Sequence, residues 1–228
     1  NTAIFIGGSS VAAAEGVLEA VKKTFFGPVR VSVMLDASGA NTTAAAAVLA
    51  ALKHVKVAET EALVLAGTGP VGVRVTRLLA IAGASVRVGS RSFDRAEAAC
   101  ATVHARLPDA RLTPHATDSE AELQAALDGV QLVISAGAPG ATTLPASSRA
   151  TAKKLRVAID LNAVPPLGIE GIAATDKAVE HDGVLCYGAI GVGGTKMKIH
   201  KAAIRSLFAN NTSILDAEEI FEIGRSLK

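Results

Sequence analysis

The residues Gly67-Thr68-Gly69-Pro70-Val71-Gly72 carry three glycines at G-x-G-x-x-G spacing. That spacing suits the holding of a dinucleotide. Gly67 allows a tight turn, Gly69 lets backbone approach a pyrophosphate, and Gly72 lets a helix lie close to the strand before it. Unpaired N–H groups and the positive dipole at the helix start favour phosphate, with Thr68, Pro70 and Val71 completing the loop. Ordinary glycine-rich turns match the same pattern, so context decides its meaning. Here it follows the apolar run Ala62–Ala66 and precedes Val71, Val75, Leu78, Leu79 and Ala82 at helical spacing. Strand, turn and helix in that order make the motif informative.

A second group, Ser90-Arg91-Ser92 with Arg95, stands at the end of the next strand. In the NAD pattern a carboxylate occupies this position and bonds the ribose 2′-hydroxyl; this strand end has none. Arg91 can pair with a 2′-phosphate, Ser90 and Ser92 can donate to its oxygens, and Arg95 lies one helical turn on. The pattern favours NADP over NAD; the competing reading makes both arginines solvated charges at a helix start. Three further strand ends belong to the same rim. Ser135-Ala136-Gly137-Ala138 lets backbone approach the nicotinamide ribose. Asp160-Leu161-Asn162-Ala163, ahead of Val164-Pro165-Pro166, brings polar groups and a rigid loop. Gly188–Gly194 reads as a second glycine-rich turn before Thr195-Lys196-Met197-Lys198. Each alone is a plain turn; together they extend the cofactor site to Ser135, Ala136, Gly137, Ala138, Asn162 and Ala163.

The elements that hold these groups alternate. Strand Ala3–Ile6 leads to a helix capped by Ser9 or Ser10 and running to about Lys23. Strand Arg30–Leu35 ends at Asp36, and Asn41 or Thr42 caps an alanine-rich helix over 43–57. A second series follows: strand 62–66, helix 70–82, strand 85–89, helix 94–107, strand 111–115, helix 118–128, strand 131–135, a helical stretch near 147–154, strand 157–160 and a last strand 184–187. The tail reads as helices 196–209 and 216–227. Such alternation predicts an α/β fold with a parallel sheet and right-handed crossovers.

Composition narrows the classes. Half the 228 residues are hydrophobic, only 3% are aromatic and Trp is absent, which suits closely packed helices and argues against stacking platforms for single-stranded nucleic acid. A net charge of +2 gives no electrostatic case for nucleic acid or an anionic membrane. Cys100 and Cys186 have neither metal nor disulfide-framework spacing, and the five histidines are scattered, so no metal is expected. No apolar run approaches the roughly 20 residues that span a bilayer, and no signal peptide is visible. A soluble cytoplasmic protein is expected, with the alanine-rich helices of the first unit offering a homo-oligomer interface.

Several segments together resemble one family: Thr2–Gly8, Phe25-Phe26-Gly27-Pro28, Met34-Leu35-Asp36, Asn41–Ala46, Ala66–Gly72, Asn162-Ala163 with Pro165–Ile169, and Gly193–Lys198. They are similar to the NADP-dependent methylene-tetrahydromethanopterin dehydrogenases of methylotrophic bacteria, from Thr2 to the C-terminal helix. The resemblance implies an α/β architecture with a Rossmann NADP-binding domain (58–195), a smaller α/β pterin-binding catalytic domain (1–57) and C-terminal helices (196–228) returning to the first domain. Family members carry a further N-terminal segment, and the start at Asn1, at the edge of an apolar run, suggests that upstream residues are missing. The implied reaction, in one-carbon metabolism, oxidises a methylene-tetrahydropterin to the methenyl form and passes hydride to NADP. Some members also take methylene-tetrahydrofolate.

In that reaction the carbon sits between two nitrogens, and loss of hydride leaves a cation delocalised over N–C–N. No proton leaves that carbon, so no strong base is required and positioning supplies much of the rate. A carboxylate can stabilise the cation; Asp36 is the candidate, with Asp160 as another, and each also reads as a loop-organising Asp. Lys196 matches the family's Gly-Gly-x-Lys segment. A charged lysine beside a forming cation would raise the barrier, so its useful roles are to bind a pterin oxygen or carboxylate, or to act neutral after desolvation. Lys198 competes with it, and His200 reads as structural. The single tyrosine, Tyr187, is followed four residues later by Gly191, so the Tyr-x-x-x-Lys pair of related folate cyclohydrolases is absent. Two rivals stay open: a shikimate-dehydrogenase-like NADP oxidoreductase and a non-catalytic NADP sensor.

Overall fold

In the computed structural model, which describes residues 2–227, two sheets share one alanine-rich helix. The smaller sheet joins β1 (Ala3–Ile6), β2 (Ser32–Leu35) and β10 (Ile214–Leu215), all parallel, in the order β1-β2-β10. Helix α1 (Val11–Lys23) is capped by Ser10, whose hydroxyl accepts from the Ala13 N–H. It buries Ala14 and Leu18 against Ile6, Val33 and Leu35 on one face of this sheet. The other face turns Met34 and Leu215 into the main core.

Helix α2 (Ala40–Ala51) begins and ends earlier than the apolar spacing predicts. Asn41 and Thr42 do not cap it; they lie in its first turn, and Asp36 caps it from outside by accepting both of their N–H groups at 3.1 Å. Ser38 (φ 52°) and Gly39 (φ 64°) supply the left-handed entry. Beyond Ala51 the polar Lys53, His54 and Lys56 interrupt the apolar face, and His54 Nε2 lies 2.6 Å from the Tyr187 hydroxyl. The small side chains Ala44 to Ala47 let other helices approach from all sides, so α2 is buried all round. That removes it as a subunit interface.

The larger sheet contains β3 (Glu61–Leu65), β4 (Ser85–Ser90), β5 (Arg111–Ala116), β6 (Leu132–Ser135), β7 (Val157–Asp160), β8 (Lys177–His181) and β9 (Val184–Tyr187). Their order is β5-β4-β3-β6-β7-β9-β8, parallel except for β8. The chain reverses direction across the sheet between β3 and β6, which makes their carboxyl ends a switch point. The crossovers are α3 (Pro70–Ile81), α4 (Phe93–His104), α5 (Glu120–Leu127) and α6 (Ala146–Thr151). Strand β8 was not foreseen: it has little apolar content, and its signal is the Asp182-Gly183 turn (φ 53° and 79°) that folds it back on β9.

Helix α7 (Ala189–Ser206) contains most of what the sequence suggests is a glycine-rich turn. Gly188, which caps it, and Gly191 lie so close to the backbone of Ala173–Asp176 that a Cβ on Gly188 would overlap the Ala173 carbonyl and one on Gly191 the Asp176 carbonyl. Close approach, and not chain reversal, is what those glycines serve. Helix α8 (Ala217–Ser226) follows β10, and together with α3 and α7 it packs against α2. Cys100 and Cys186 are free and buried, and burial pushes the Cys186 thiol up to about 11. Among the described residues no helix is long and apolar enough to cross a membrane, and no group of metal-ligating side chains assembles.

Candidate functional site

A crevice of about 420 Å³ opens at the carboxyl rim of β3, β4 and β6. Of the residues expected at a dinucleotide, it gathers Thr68, Gly69, Ser90, Arg91, Arg95, Ala136, Gly137 and Ala138. The glycine loop fits such a ligand, though not by the division of labour its spacing suggests. The left-handed turn falls on Ala66 (φ 51°), not on Gly67. Gly67 is required for proximity, because a Cβ there would stand 2.9 Å from the Val64 carbonyl and 2.8 Å from Val88 Cγ1. Gly72 lies against Gly67, where an added Cβ would come within 2.7 Å of the Gly67 Cα. Gly69 is the open one: its nearest neighbour to a built Cβ is the Ala66 carbonyl at 3.9 Å, so the side facing the crevice is bare backbone. No side chain caps α3, which leaves first-turn N–H groups for a phosphate.

Other expected residues support the crevice from outside. Pro70 and Val71 form the first turn of α3, with Pro at a position where its missing N–H costs nothing. Pro70 borders a second crevice, about 410 Å³, between the glycine loop and α1. Ser92 caps α4 by accepting from the Arg95 N–H at 3.4 Å. Ser135 is buried and lies 2.9 Å from the Thr143 hydroxyl, which donates to the Gly168 carbonyl. Asn162 donates to the carbonyls of Val164 and Pro166 and accepts from the Val164 N–H, so it ties its own loop together, with Ala163 inside that loop. Asp160 does likewise: its oxygens accept from the N–H groups of Asn162 and Ile169, each at 3.0 Å. Burial pushes its carboxyl above the usual range, against the pull of those donors, the Gly168 N–H and the Ser135 hydroxyl.

Four polar residues of the crevice escaped the sequence reading: Thr117 and Asp118 beyond β5, and Thr142 and Thr143 beyond β6. Extending the strand-end rule to β5 would have found the first two. The ion pairs of the described residues engage Arg74, Arg77, Arg87, Arg106, Arg149 and Arg225, and leave Arg91 and Arg95 uncommitted.

Asp36 stands at the carboxyl end of β2, and Lys196 reaches the bend at Gly39 just after it; neither lines the crevice. Asp36 is 5% exposed. Besides capping α2, it accepts from the Thr42 hydroxyl at 2.8 Å and meets His200 Nδ1 at 3.3 Å. The ring of His200 stands edge-on to Phe5, centroids 5.7 Å apart. Lys196 is half-buried against the bend at Gly39, where a built Cβ would fall 2.5 Å from Nζ. Lys198 is exposed and outside this cluster.

A buried polar network, also unforeseen, joins this cluster to the glycine loop. Asn41 donates to the Leu35 carbonyl (2.6 Å) and to Asp216 (3.0 Å), and accepts from Arg74 Nε. Arg74 also donates to the Pro70 carbonyl (3.1 Å) and to Glu15 (2.9 Å). Asp216 receives Arg77 and Arg106 as well; burial pushes its carboxyl up, but Arg77, the Ala217 N–H and Arg106 together hold it below the usual range.

Comparison with known proteins fits this geometry. Residues 1–38 match the family model described as methylene-tetrahydromethanopterin dehydrogenase, N-terminal. The bifunctional protein MdtA of Methylorubrum extorquens is 45% identical over 100% of this chain and 79% of its own length. The NAD(P)-dependent methylenetetrahydromethanopterin dehydrogenase of the same organism is 30% identical over 98% of this chain and 78% of its own length. Among solved structures, quinate dehydrogenase from Corynebacterium glutamicum, in complex with NAD, superposes with a TM-score of 0.51 at 12% identity, over 100% of this chain and 99% of that one, a likeness of fold alone.

Proposed function

The chain belongs to the methylene-tetrahydromethanopterin dehydrogenase family, and from that premise we propose how its two walls divide the work. It is an NADP-dependent oxidoreductase that moves a hydride from methylene-tetrahydromethanopterin to NADP, leaving the methenyl form. When bound, NADP supplies the hydride acceptor. The bare face of Gly69 and the start of α3 receive its pyrophosphate, and Arg91 and Arg95, with Ser90, receive the 2′-phosphate. Ala136, Gly137 and Ala138 border the nicotinamide half, with Thr142 and Thr143 as further donors. Gly67, Gly72, Pro70, Val71, Ser92, Ser135, Asn162 and Ala163 hold these groups in place.

Lys196 binds a pterin oxygen or carboxylate from the facing wall. Asp36 caps α2 and holds His200, and its charge lies near the position of the forming cation. No residue takes a proton from the reacting carbon, so orientation supplies the rate. In this reading residues 1–57 with the helices of 196–228 form the pterin side and 58–195 the cofactor side. Methylene-tetrahydrofolate is a second substrate, the setting is cytoplasmic, and the exposed Ala13, Val17 and Ala20 of α1 form the face for a homo-oligomer.

The single observation that carries the assignment is an open, doubly cationic crevice with a glycine cradle, in a chain 45% identical over its whole length to a member of this family. The test mixes protein, NADP and methylene-tetrahydromethanopterin and follows the absorbance of reduced nicotinamide, with shikimate as control. Turnover with the pterin alone is expected. NADP binding without turnover would leave the sensor reading standing instead.

A further inference from the structure

We infer that Asn41 and Arg74 are a positioning pair that sets the distance between the dinucleotide loop and the pterin wall. The inference rests on the dehydrogenase reading above. Both side chains are buried, Asn41 1% and Arg74 5% exposed. Neither lines the crevice at β3, β4 and β6, so neither is placed to touch NADP there; Arg74 borders the second crevice, between the glycine loop and α1. Arg74 stands one turn into α3 and returns to the Pro70 carbonyl, directly after Gly69. Its guanidinium then reaches Asn41 on the first turn of α2. The N–H of that same Asn41 is held by Asp36, which in turn meets His200 on α7, one turn beyond Lys196. The amide also grips the end of β2 through Leu35 and the start of α8 through Asp216.

The central links, from Asn41 to Leu35, Arg74 and Asp36 and from Thr42 to Asp36, join buried groups, so water does not readily replace them and the geometry there is held. Asn suits the junction because it alone among small side chains offers an acceptor to Arg74 and two donors to Leu35 and Asp216 at once. A serine can reproduce at most part of this. In a reaction that depends on alignment and not on proton transfer, a small displacement of one wall costs rate in the chemical step while leaving each binding site intact.

The test compares wild type with Asn41→Ser, Arg74→Lys, Asn41→Leu, Arg74→Leu and the double leucine variant. NADP affinity comes from calorimetry, and kcat and its deuterium isotope effect from methylene-labelled substrate. The expected result is a kcat at least about tenfold lower with NADP Kd within about threefold of wild type. The double variant should be no slower than the slower single one, because the residues act as a unit. The isotope effect should become steeper with temperature, a change that lost stability alone does not cause. An unchanged kcat would overturn the inference, and so would an NADP Kd rising in step with the loss of kcat. If the leucine variants fail to fold, Asn41→Ser and Arg74→Lys carry the same comparison.

A second readout needs no substrate. NADP binding should slow amide hydrogen exchange at Asn41 and Thr42 in wild type, and not in Arg74→Lys. Failure of wild type to turn over would sink the dehydrogenase reading; exchange that NADP slows equally in both proteins would sink the pair.

Discussion

The rim at β3, β4 and β6 and the polar cluster at the end of β2 treat their charged groups in opposite ways. On the rim at β3, β4 and β6, Arg91 and Arg95 are exposed and committed to no carboxylate of the described residues, and Gly69 turns bare backbone toward open space. In the cluster at the end of β2, Asp36, Asn41, Arg74 and Asp216 are bonded to one another or to backbone, and nearby Lys196 joins no ion pair of the described residues. A binding surface for a charged ligand keeps its donors free until the ligand arrives. A surface that must hold a precise distance uses its polar groups on itself. The cost of mutation should therefore appear as lost affinity on the rim and as lost rigidity in the cluster.

Four changes probe that contrast, and the largest effect is expected at Arg91. Arg91→Glu replaces a charge-assisted bond, worth about 1.5–3 kcal/mol, with repulsion, so NADP should weaken by about 100-fold or more while NAD changes little. Calorimetry with both coenzymes checks this, and equal weakening of the two would erase the rim's role as a 2′-phosphate site. Gly72→Ala comes next. Its Cβ would meet the Gly67 backbone at 2.7 Å, and overpacking of this kind costs about 1–3 kcal/mol. A lower melting temperature together with weaker NADP binding is expected, and unchanged values for both would show that the loop yields freely.

In the cluster at the end of β2, Asp216→Asn should destabilise by about 1 kcal/mol, since it takes a charge from Arg77 and Arg106 while Glu218 still pairs with Arg77 at 2.6 Å, without changing NADP affinity. Its pH dependence has a definite sign. A carboxyl held below its ordinary value contributes fully above about pH 3.9 and loses that contribution as pH falls through the lowered folded value. Wild type should lose stability faster than the variant on acidification below that point; parallel denaturation curves would contradict it. Smallest is Asp118→Asn, which removes an exposed negative charge from the rim and should tighten NADP by roughly twofold, on the scale of exposed pairs. Weaker binding would mean that Asp118 contacts the ligand directly.

Local pattern carried most of the fold. Strands β1, β3, β4, β6, β7 and β9 and helices α1, α3 and α8 stand close to where apolar spacing and caps put them. The departures share a cause: tertiary contact replaced the local signal. Asp36 moved the start of α2, Gly188 and Gly191 serve the close approach of Ala173–Asp176 at the start of α7 and not a turn, and two-residue β10 has too little sequence to carry a period. The site divides the same way. Arg91, Arg95 and the glycine loop were legible because spacing along one stretch specifies them. Asn41, Arg74 and Asp216 were not, because they meet across 33 and 175 positions of chain, and no local pattern records such a meeting.

The order of strands in the small sheet bears on how the molecule is made. Its central strand, β2, is flanked by β1, which precedes the larger sheet in the chain, and by β10, which follows it. A ribosome releases β1 and β2 early, but their third partner arrives only after the entire larger sheet has emerged. The larger sheet can thus close first, while the β1–β2 pair waits with one edge of β2 unfilled for a long-range loop to shut. Chaperone capture of nascent chains should be concentrated on that waiting pair, and deleting β10 should loosen the small sheet before the larger one.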